Sequence, residues 1–426
     1  MLDIKFIREN RDIVEMAMKN KKVKEVVDLD KLFDIYDKKK DLKTKIEEIN
    51  TQKNIAAKEQ NIEEGRRLKE EGSKLESEHT ELEKEFIRLM LLIPNIPSAD
   101  TPIGKDDSDN QVARQWGEIP TFSFTPKEHF DIAETLGLID KEKAAEVSGS
   151  RFAFIKGDLA LLQFAIINFC MSIVTDESIL KVIAEEAGLD VSTKPFVPVI
   201  PPVMVKSAVF NRMGRLEPRE DKYYLEEDDL FLVGSAEHTL GPIHMDEILE
   251  EKDLPIRYLG YSSAFRREAG TYGKDTKGIL RMHQFDKLEM ETFCLPETSR
   301  QEQDFLVAIQ EYFLRKLKIP YQVVKISTGD MGIPDHRQID LEAWMPGQNT
   351  YRETHTSDLM TTFQSRRLNT KFKRDGKTEL VHMNDATLSA IGRTMIAIIE
   401  NYQKEDGTIG IPEVLQKYMG GRDVIK

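Results

Sequence analysis

From Leu32 onward the seam positions recur at alternating steps of three and four, through Leu32, Ile35, Lys39, Leu42, Ile46, Ile49, Lys53 and Ala56. A second run of the same spacing passes through Leu68, Gly72, Leu75, His79, Leu82, Phe86, Leu89 and Ile93. This is the repeat of helices that pack along one seam. Residues 61–65 are polar and few enough to reverse the chain. The pattern predicts two antiparallel helices over about residues 30–93, a coiled-coil arm roughly 40 Å long at 1.5 Å rise per residue. By itself the repeat also describes a generic oligomerisation coil. Lys39 and Lys53 point to a thin two-helix arm, because lysine can lay its stem on the seam and keep its ammonium wet. Ahead of the arm, Ile4, Ile7, Val14 and Met18 predict a small packing helix, with Asn10 and Asp12 as capping candidates.

Pro94, Pro97 and Pro102 punctuate a turn-rich linker. The predicted boundary lies there, dividing an N-terminal domain (1–100) from a larger one (101–426). In the second domain Leu159, Leu162, Ile166, Phe169 and Ile173 have helical spacing, and the Pro-punctuated KPFVPVIPPVMV that follows suits an edge strand. Phe305, Ile309, Tyr312 and Phe313 mark another helix, and YQVVKI and IDLEAWMPG read as strands. Residues 255–291 read as an antiparallel hairpin closed by a polar loop containing Gly270, Gly273, Lys274, Asp275, Lys277 and Gly278.

The chain has 426 residues, 40% hydrophobic and 32% charged, which is a well-folded composition with room for two or three domains. Its start lacks the apolar core of a signal peptide, and no run approaches the ~20 apolar residues that span a bilayer, so a cytoplasmic protein without membrane attachment is expected. Cys170 and Cys294 are too few for a disulfide framework or a cysteine zinc cluster, and no zinc is expected. A net charge of -14 argues against indiscriminate nucleic-acid binding. It leaves room for local basic points on the arm, at Lys38, Lys39, Lys40, Arg66 and Arg67.

The hairpin carries the densest chemistry. Strand alternation predicts Arg266 and Glu268 on one face of its first strand, and Arg281, Phe285 and Glu289 on one face of its second. Guanidinium groups suit phosphate, an aromatic ring suits a base, and carboxylates accept from amines or hydroxyls. A single Arg/Glu pair on a strand is ordinarily a surface ion pair of little consequence. Here an Arg-x-Glu, a basic glycine-rich loop and an Arg-x-x-x-Phe-x-x-x-Glu follow one another. Elsewhere Ser235 and Glu237 follow the apolar FLVG, sharing a face if the path stays extended. Glu353 and Thr356 make either an ordinary surface pair or the oxygen ligands that Mg²⁺ prefers, and Arg393 projects from an apolar helix, suiting either a structural ion pair or a bound anion.

FRREAGTYGKDTKGILRMHQFDKLE resembles motif 2 of the class II aminoacyl-tRNA synthetases, in the form found in the seryl-tRNA synthetases. The resemblance extends to the arm, to a motif 1-like stretch around residues 165–205, to a motif 3-like helix with Arg393, and to the ending GTIGIPEVLQKYMGG. It implies an α+β fold: a class II catalytic domain on an antiparallel β-sheet flanked by helices, with an N-terminal antiparallel coiled-coil arm that binds tRNA. The implied activity joins L-serine to ATP as seryl-adenylate and transfers serine to tRNA(Ser), and to tRNA(Sec) where present, with Mg²⁺ accompanying ATP in a homodimer. The implied ATP-binding residues are Arg266, Arg267, Glu268, Arg281, Phe285, Glu353, Thr354, His355, Thr356 and Arg393. Of these, Arg266 meets the α-phosphate, Glu268 the adenine amino group, Phe285 the adenine face and Arg393 the γ-phosphate, with Glu353 and Thr356 on Mg²⁺. Serine is implied to meet Ser235, Ala236, Glu237, Arg266, Glu289 and Thr387. Some positions depart from the family pattern: Ser235 replaces Thr, His355 and Thr356 replace two serines, and Asp385 stands where the family has Asn, with Asn384 one residue early. A paralogue charging another acceptor, or a non-catalytic tRNA-binding protein, are the alternatives. The former has no need of the arm, and the latter no need of the full set of charged residues.

Overall fold

The computed structural model describes residues 1–268 and 277–426. The loop residues Gly270, Gly273, Lys274 and Asp275 lie outside the described residues. The chain forms two compact units, Met1–Ile96 and Pro97–Lys426.

In the first unit α1 (Ile4–Glu9) and α2 (Arg11–Asn20) precede the long helices α3 (Leu29–Lys58) and α4 (Ile62–Leu92). Asp28 caps α3 by accepting from the N–H groups of Asp30 and Lys31, and Asn61 caps α4 by accepting from Glu64 N–H. Both caps satisfy helix-end donors, and the one at Asn61 closes the turn between the two helices. Leu32, Ile35, Leu42, Ile49 and Ala56 are buried on α3, and Leu68, Gly72, Phe86 and Leu89 on α4, so the predicted seam is the observed one. Gly72 allows the helices to approach closely: a Cβ there would lie 3.3 Å from Cγ2 of Ile49. Seam Lys39 gains partners, with its Nζ 4.0 Å from the Phe86 ring centroid and 2.7 Å from Glu83. At the base, Ile7, Val14 and Met18 join Leu32, Ile35, Phe86, Leu89 and Ile93 in one apolar cluster.

The second unit is built on eight strands: β1 (Gln111–Trp116), β2 (Val197–Val199), β3 (Ile256–Phe265), β4 (Gln284–Cys294), β5 (Tyr321–Lys325), β6 (Arg337–Met345), β7 (Thr350–Thr361) and β8 (His382–Ala390). Their spatial order is β1-β5-β6-β7-β8-β4-β3-β2, antiparallel throughout except for β2 beside β3. The principal helices around the sheet are α5 (Gly157–Val174), α6 (Glu177–Ala187), α7 (Glu237–Leu240), α8 (Ser299–Lys316) and α9 (Ile391–Asn401). Expected as a helix leading straight into a strand, α5 is followed first by α6. Pro198 then sits in β2 at the sheet edge, where a missing N–H is tolerated. Helix α5 is also long and apolar enough to cross a membrane by composition, but Leu159, Leu162, Ile166, Cys170 and Ile173 on it are buried in the core.

The sheet has two unlike faces. Leu288 and Met290, Ala386 and Leu388, and Ile339 and Leu341 belong to the main core with residues of α5, α8 and α9. Two buried amides on α8 complete this face: Gln303 Nε2 donates to the carbonyls of Arg337 and Ser357, and Gln310 Nε2 to those of Thr356 and Thr387. The alternate residues of the same strands face the other way and carry the polar site.

Candidate functional site

Period-two alternation puts Phe285, Lys287, Glu289 and Glu291 of β4 on this second face, beside Asp385 and Thr387 of β8, Thr356 and Asp358 of β7, and Gln338 and Asp340 of β6. Above them lies a cavity of about 320 Å³, whose lining includes Arg266, Glu268, Phe285, Glu237 and Thr387. A β-bulge brings Glu353 and Thr356 together at this cavity. Leu341 pairs with His355 and Glu342 with Glu353, so Thr354 is an extra residue in β7. Three apart on a regular strand, Glu353 and Thr356 would point to opposite faces; the bulge corrects the parity. Thr354 Oγ1 holds the bulge by donating to the Leu341 carbonyl at 3.2 Å.

Glu289 is fully buried and is not among the residues lining the cavity, though its neighbours Lys287 and Thr387 are. Its carboxylate accepts from Ser235 Oγ and Thr387 Oγ1, each at 3.3 Å, and pairs with Lys287 Nζ at 2.7 Å. Lys287 Nζ also donates to Ser235 Oγ at 3.2 Å. Burial pushes the Glu289 carboxyl upward; Lys287 pulls it back, and the nearby Glu237 charge adds to the rise. Glu237 starts the short helix α7, so a helical turn, not the anticipated extended path, places it near Ser235. Burial opposes its charge, yet Arg215, 3.2 Å away, holds the carboxyl well below its usual range. Ala236 is buried against β3, where a Cβ on Gly260 would lie 3.2 Å from its own.

Arg266 follows β3, with Nε donating to the Gly234 carbonyl at 3.0 Å and its guanidinium 5.3 Å from the Phe285 ring centroid. Arg266 and Glu268 do not share a strand face as expected, because β3 ends at Phe265 and Glu268 has φ +55°. Arg281 likewise precedes β4 rather than lying on it; an ion pair of 2.5 Å between its Nη1 and Glu268 Oε2 brings both to the cavity. Arg267 stacks 5.1 Å from the Tyr223 ring centroid and is not among the residues lining the cavity. Arg393 Nη1 lies 2.9 Å from Glu353 Oε1 and donates to the Glu353 carbonyl at 2.7 Å. Burial by the surrounding walls would raise the Glu353 carboxyl, which still opens to the cavity, and the Arg393 charge outweighs this and lowers it. His355 turns away to pack against Phe313, ring centroids 5.7 Å apart, and burial pushes its imidazole down to about 3.

Oxygen donors dominate the Glu353 corner. Thr356 Oγ1 accepts from Gln338 Nε2 at 3.3 Å, and Asp340 stands opposite Thr356, its carboxyl raised by burial and by the charge of Glu353. Carboxylate and hydroxyl oxygens at a cavity that also carries arginines fit Mg²⁺ bound together with phosphate.

Several residues of the site were not singled out from sequence. Lys287 carried a readable signal, since it shares the parity of Phe285 and Glu289. Arg215 carried none. Asp358 and Glu291 were not singled out either; they lie in one cross-strand row with the already noted Asp385, because Asp358 pairs with Asp385 and Asp385 with Glu291. The row also separates Asp385 from Asn384: Asn384 faces α8, donating from Nδ2 to the Ser299 carbonyl at 3.1 Å, and Asp385 faces the site. On the arm, Lys38 pairs with Asp34, Lys39 with Glu83, Arg66 with Glu70 and Arg67 with Glu64, and Lys40 is exposed.

Residues 222–402 match the tRNA synthetase class II core domain (G, H, P, S and T), and residues 1–97 match the seryl-tRNA synthetase N-terminal domain. The chain is 45% identical over 342 residues to the serine--tRNA ligase of Bacillus thuringiensis (strain Al Hakam), covering 80% of this chain and 77% of that one; the Bacillus anthracis ligase matches equally. Among solved structures, seryl-tRNA synthetase from Pyrococcus horikoshii complexed with ATP superposes with a TM-score of 0.87 at 36% identity, covering 100% of this chain and 99% of that one. The cytoplasmic serine-tRNA ligase from Naegleria fowleri in complex with AMP has a TM-score of 0.83 at 30% identity, with the same coverage.

Proposed function

The chain belongs to the seryl-tRNA synthetase family, whose members activate serine with ATP and charge tRNA with it, and from that premise we propose how its residues divide the work. The nucleotide lies over Phe285, with Glu268 at the adenine amino group, Arg266 at the α-phosphate and Arg393 at the γ-phosphate. Serine lies at Glu289, between Ser235, Glu237 and Thr387. The observation that carries this reading is that one strand, β4, presents Phe285 and the buried Glu289 on one face, with Arg266 stacked on the former and two hydroxyls donating to the latter.

A serine carboxylate is already a nucleophile, so the residues are asked to position two anions and stabilise charge rather than to move a proton. Arg266 and Arg393 meet phosphate oxygens. Glu353 and Thr356 would hold Mg²⁺, which when bound would neutralise phosphate charge. A site whose buried polar groups expect a hydroxyl rejects alanine by leaving them unpaired.

Residues 1–100 serve tRNA through the arm. The protein assembles as a C₂ homodimer, a reading supported by the exposed apolar residues Val197 and Ile200 at the edge strand and Leu161 and Phe164 on α5. It works in the cytoplasm. Exchange of pyrophosphate into ATP, measured across a panel of amino acids, tests the substrate: dependence on serine is expected, and preference for another amino acid overturns the reading. A concentration-independent monomer mass in light scattering contradicts the dimer.

A further inference from the structure

We propose that Lys287 is a catalytic residue of the activation step, its ammonium meeting the substrate carboxylate where that group attacks the α-phosphorus. The proposal rests on the placement of nucleotide at Phe285 and serine at Glu289. Between these residues β4 pairs with β3 without a register shift. Side chains two apart on a strand therefore leave the same face roughly 7 Å from one another. Lys287 stands midway. A ligand that reaches from the Phe285 ring to the Glu289 carboxylate passes over it, and its midpoint is the junction of carboxylate and phosphate.

The ammonium has a donor to spare. Of its three N–H groups, one is directed to Glu289 Oε2 at 2.7 Å and one to Ser235 Oγ at 3.2 Å. The third has no acceptor among the described residues, and Lys287 lines the cavity while being only 7% exposed. Its charge bears on Glu237 at the amino-acid end and on Glu353 at the phosphate end, so it lies electrostatically between the two. A cation at so little exposed a point offsets the repulsion between the carboxylate and the triphosphate.

No proton moves in the step. A carboxylate oxygen forms a bond to the α-phosphorus, the bond from that phosphorus to the bridging oxygen breaks, and the electron pair leaves with pyrophosphate. Lys287 supplies a hydrogen bond and is neither acid nor base in the step. Arg266 reaches the same phosphate from the end of β3, so the two cations flank the reacting centre.

A purely structural lysine would serve Glu289 and Ser235 alone. Serinamide separates the two roles, because it keeps the ammonium and hydroxyl of serine and lacks the carboxylate. The test compares wild type with Lys287→Met in serine-dependent pyrophosphate exchange, and measures serinamide as an inhibitor of both, with Lys287→Gln in its place if the methionine variant melts early. The expected result is a kcat loss of about a hundredfold or more, as for removal of one transition-state donor, with the affinity for serine falling much further than that for serinamide. Lys287→Arg should recover part of the rate. Equal losses for serine and serinamide, or a kcat within about threefold of wild type, would overturn the proposal. Absence of serine-dependent exchange in the wild-type protein would instead strike the placement on which the proposal stands.

Discussion

Glu291 on β4 and Asp385 on β8 stand directly opposite each other across the sheet, each 1% exposed, and neither carboxylate has a hydrogen-bond partner among the described residues. Two such groups cannot both carry charge cheaply in a low-dielectric interior. Burial pushes Asp385 well above the usual carboxyl range, with Glu237 and Asp358 adding to the rise. It does the same for Glu291, with Asp385 adding. The folded protein therefore keeps protons on this row at pH values where the unfolded chain, with carboxyls near about 4, has lost them. That contribution to stability is fully present below the unfolded value and is lost as pH rises through the raised folded values.

Asp385→Asn keeps the shape and removes the titration. Wild-type Tm should fall as pH is raised from about 5 to 9, and the variant should fall less, with a gain near pH 8 of about 2–6 °C from an unpaired-group penalty of about 1–3 kcal/mol. Parallel melting curves across that range would show that the row does not titrate there.

Arg266→Ala should abolish adenylate formation and leave the fold intact, since the residue is exposed beyond the end of β3. Loss of transition-state charge stabilisation costs on the order of 3 kcal/mol or more, about a hundredfold in rate. Near-normal pyrophosphate exchange by the folded variant would sink its assigned role.

Arg257 and Glu302 form a buried bidentate pair, at 2.7 Å and 3.0 Å, and Arg257 Nη1 donates to the Lys194 carbonyl at 2.9 Å. Arg257→Met should destabilise by about 3–5 kcal/mol by stranding the Glu302 charge, and adding Glu302→Leu should recover much of this. Urea unfolding midpoints of the single and double variants test it; a double variant no better than the single would mean that the stranded charge is not the cause.

The arm can be shortened without disturbing its base. A cut at Leu32 would strip Leu32, Ile35, Phe86 and Leu89 from the cluster that buries Ile7, Val14 and Met18, whereas Ile49, Ala56 and Leu68 form a separate cluster farther along the arm. Replacing residues 42–80 with a short flexible linker should leave pyrophosphate exchange within about twofold and reduce tRNA charging at least tenfold. With phosphate contacts gone, the salt dependence of tRNA binding should also become shallower. Equal losses in exchange and charging would mean that the arm supports the catalytic unit itself.

The arm was legible because a heptad seam is a local property: each position follows from the helix geometry of its near neighbours, and Leu32 to Ile93 needed no distant information. The parity of Phe285 and Glu289 was legible for the same reason, and it holds on β4. Parity failed where the strand did. Glu268 and Arg281 lie outside the strands and Glu237 begins a short helix, yet all three reach the cavity, and Glu353 and Thr356 share it through the extra residue Thr354. No local pattern announces such a bulge, and a one-residue change in register exchanges the two faces of a strand. The row of Asp358, Asp385 and Glu291, and the meeting of Arg215 with Glu237, join segments far apart in the chain. Side-chain periodicity follows from backbone dihedrals and is written along the sequence. Which strands lie side by side, and which carboxylates must then share a dry interior, is decided by the long-range pairing that buries both faces of the sheet.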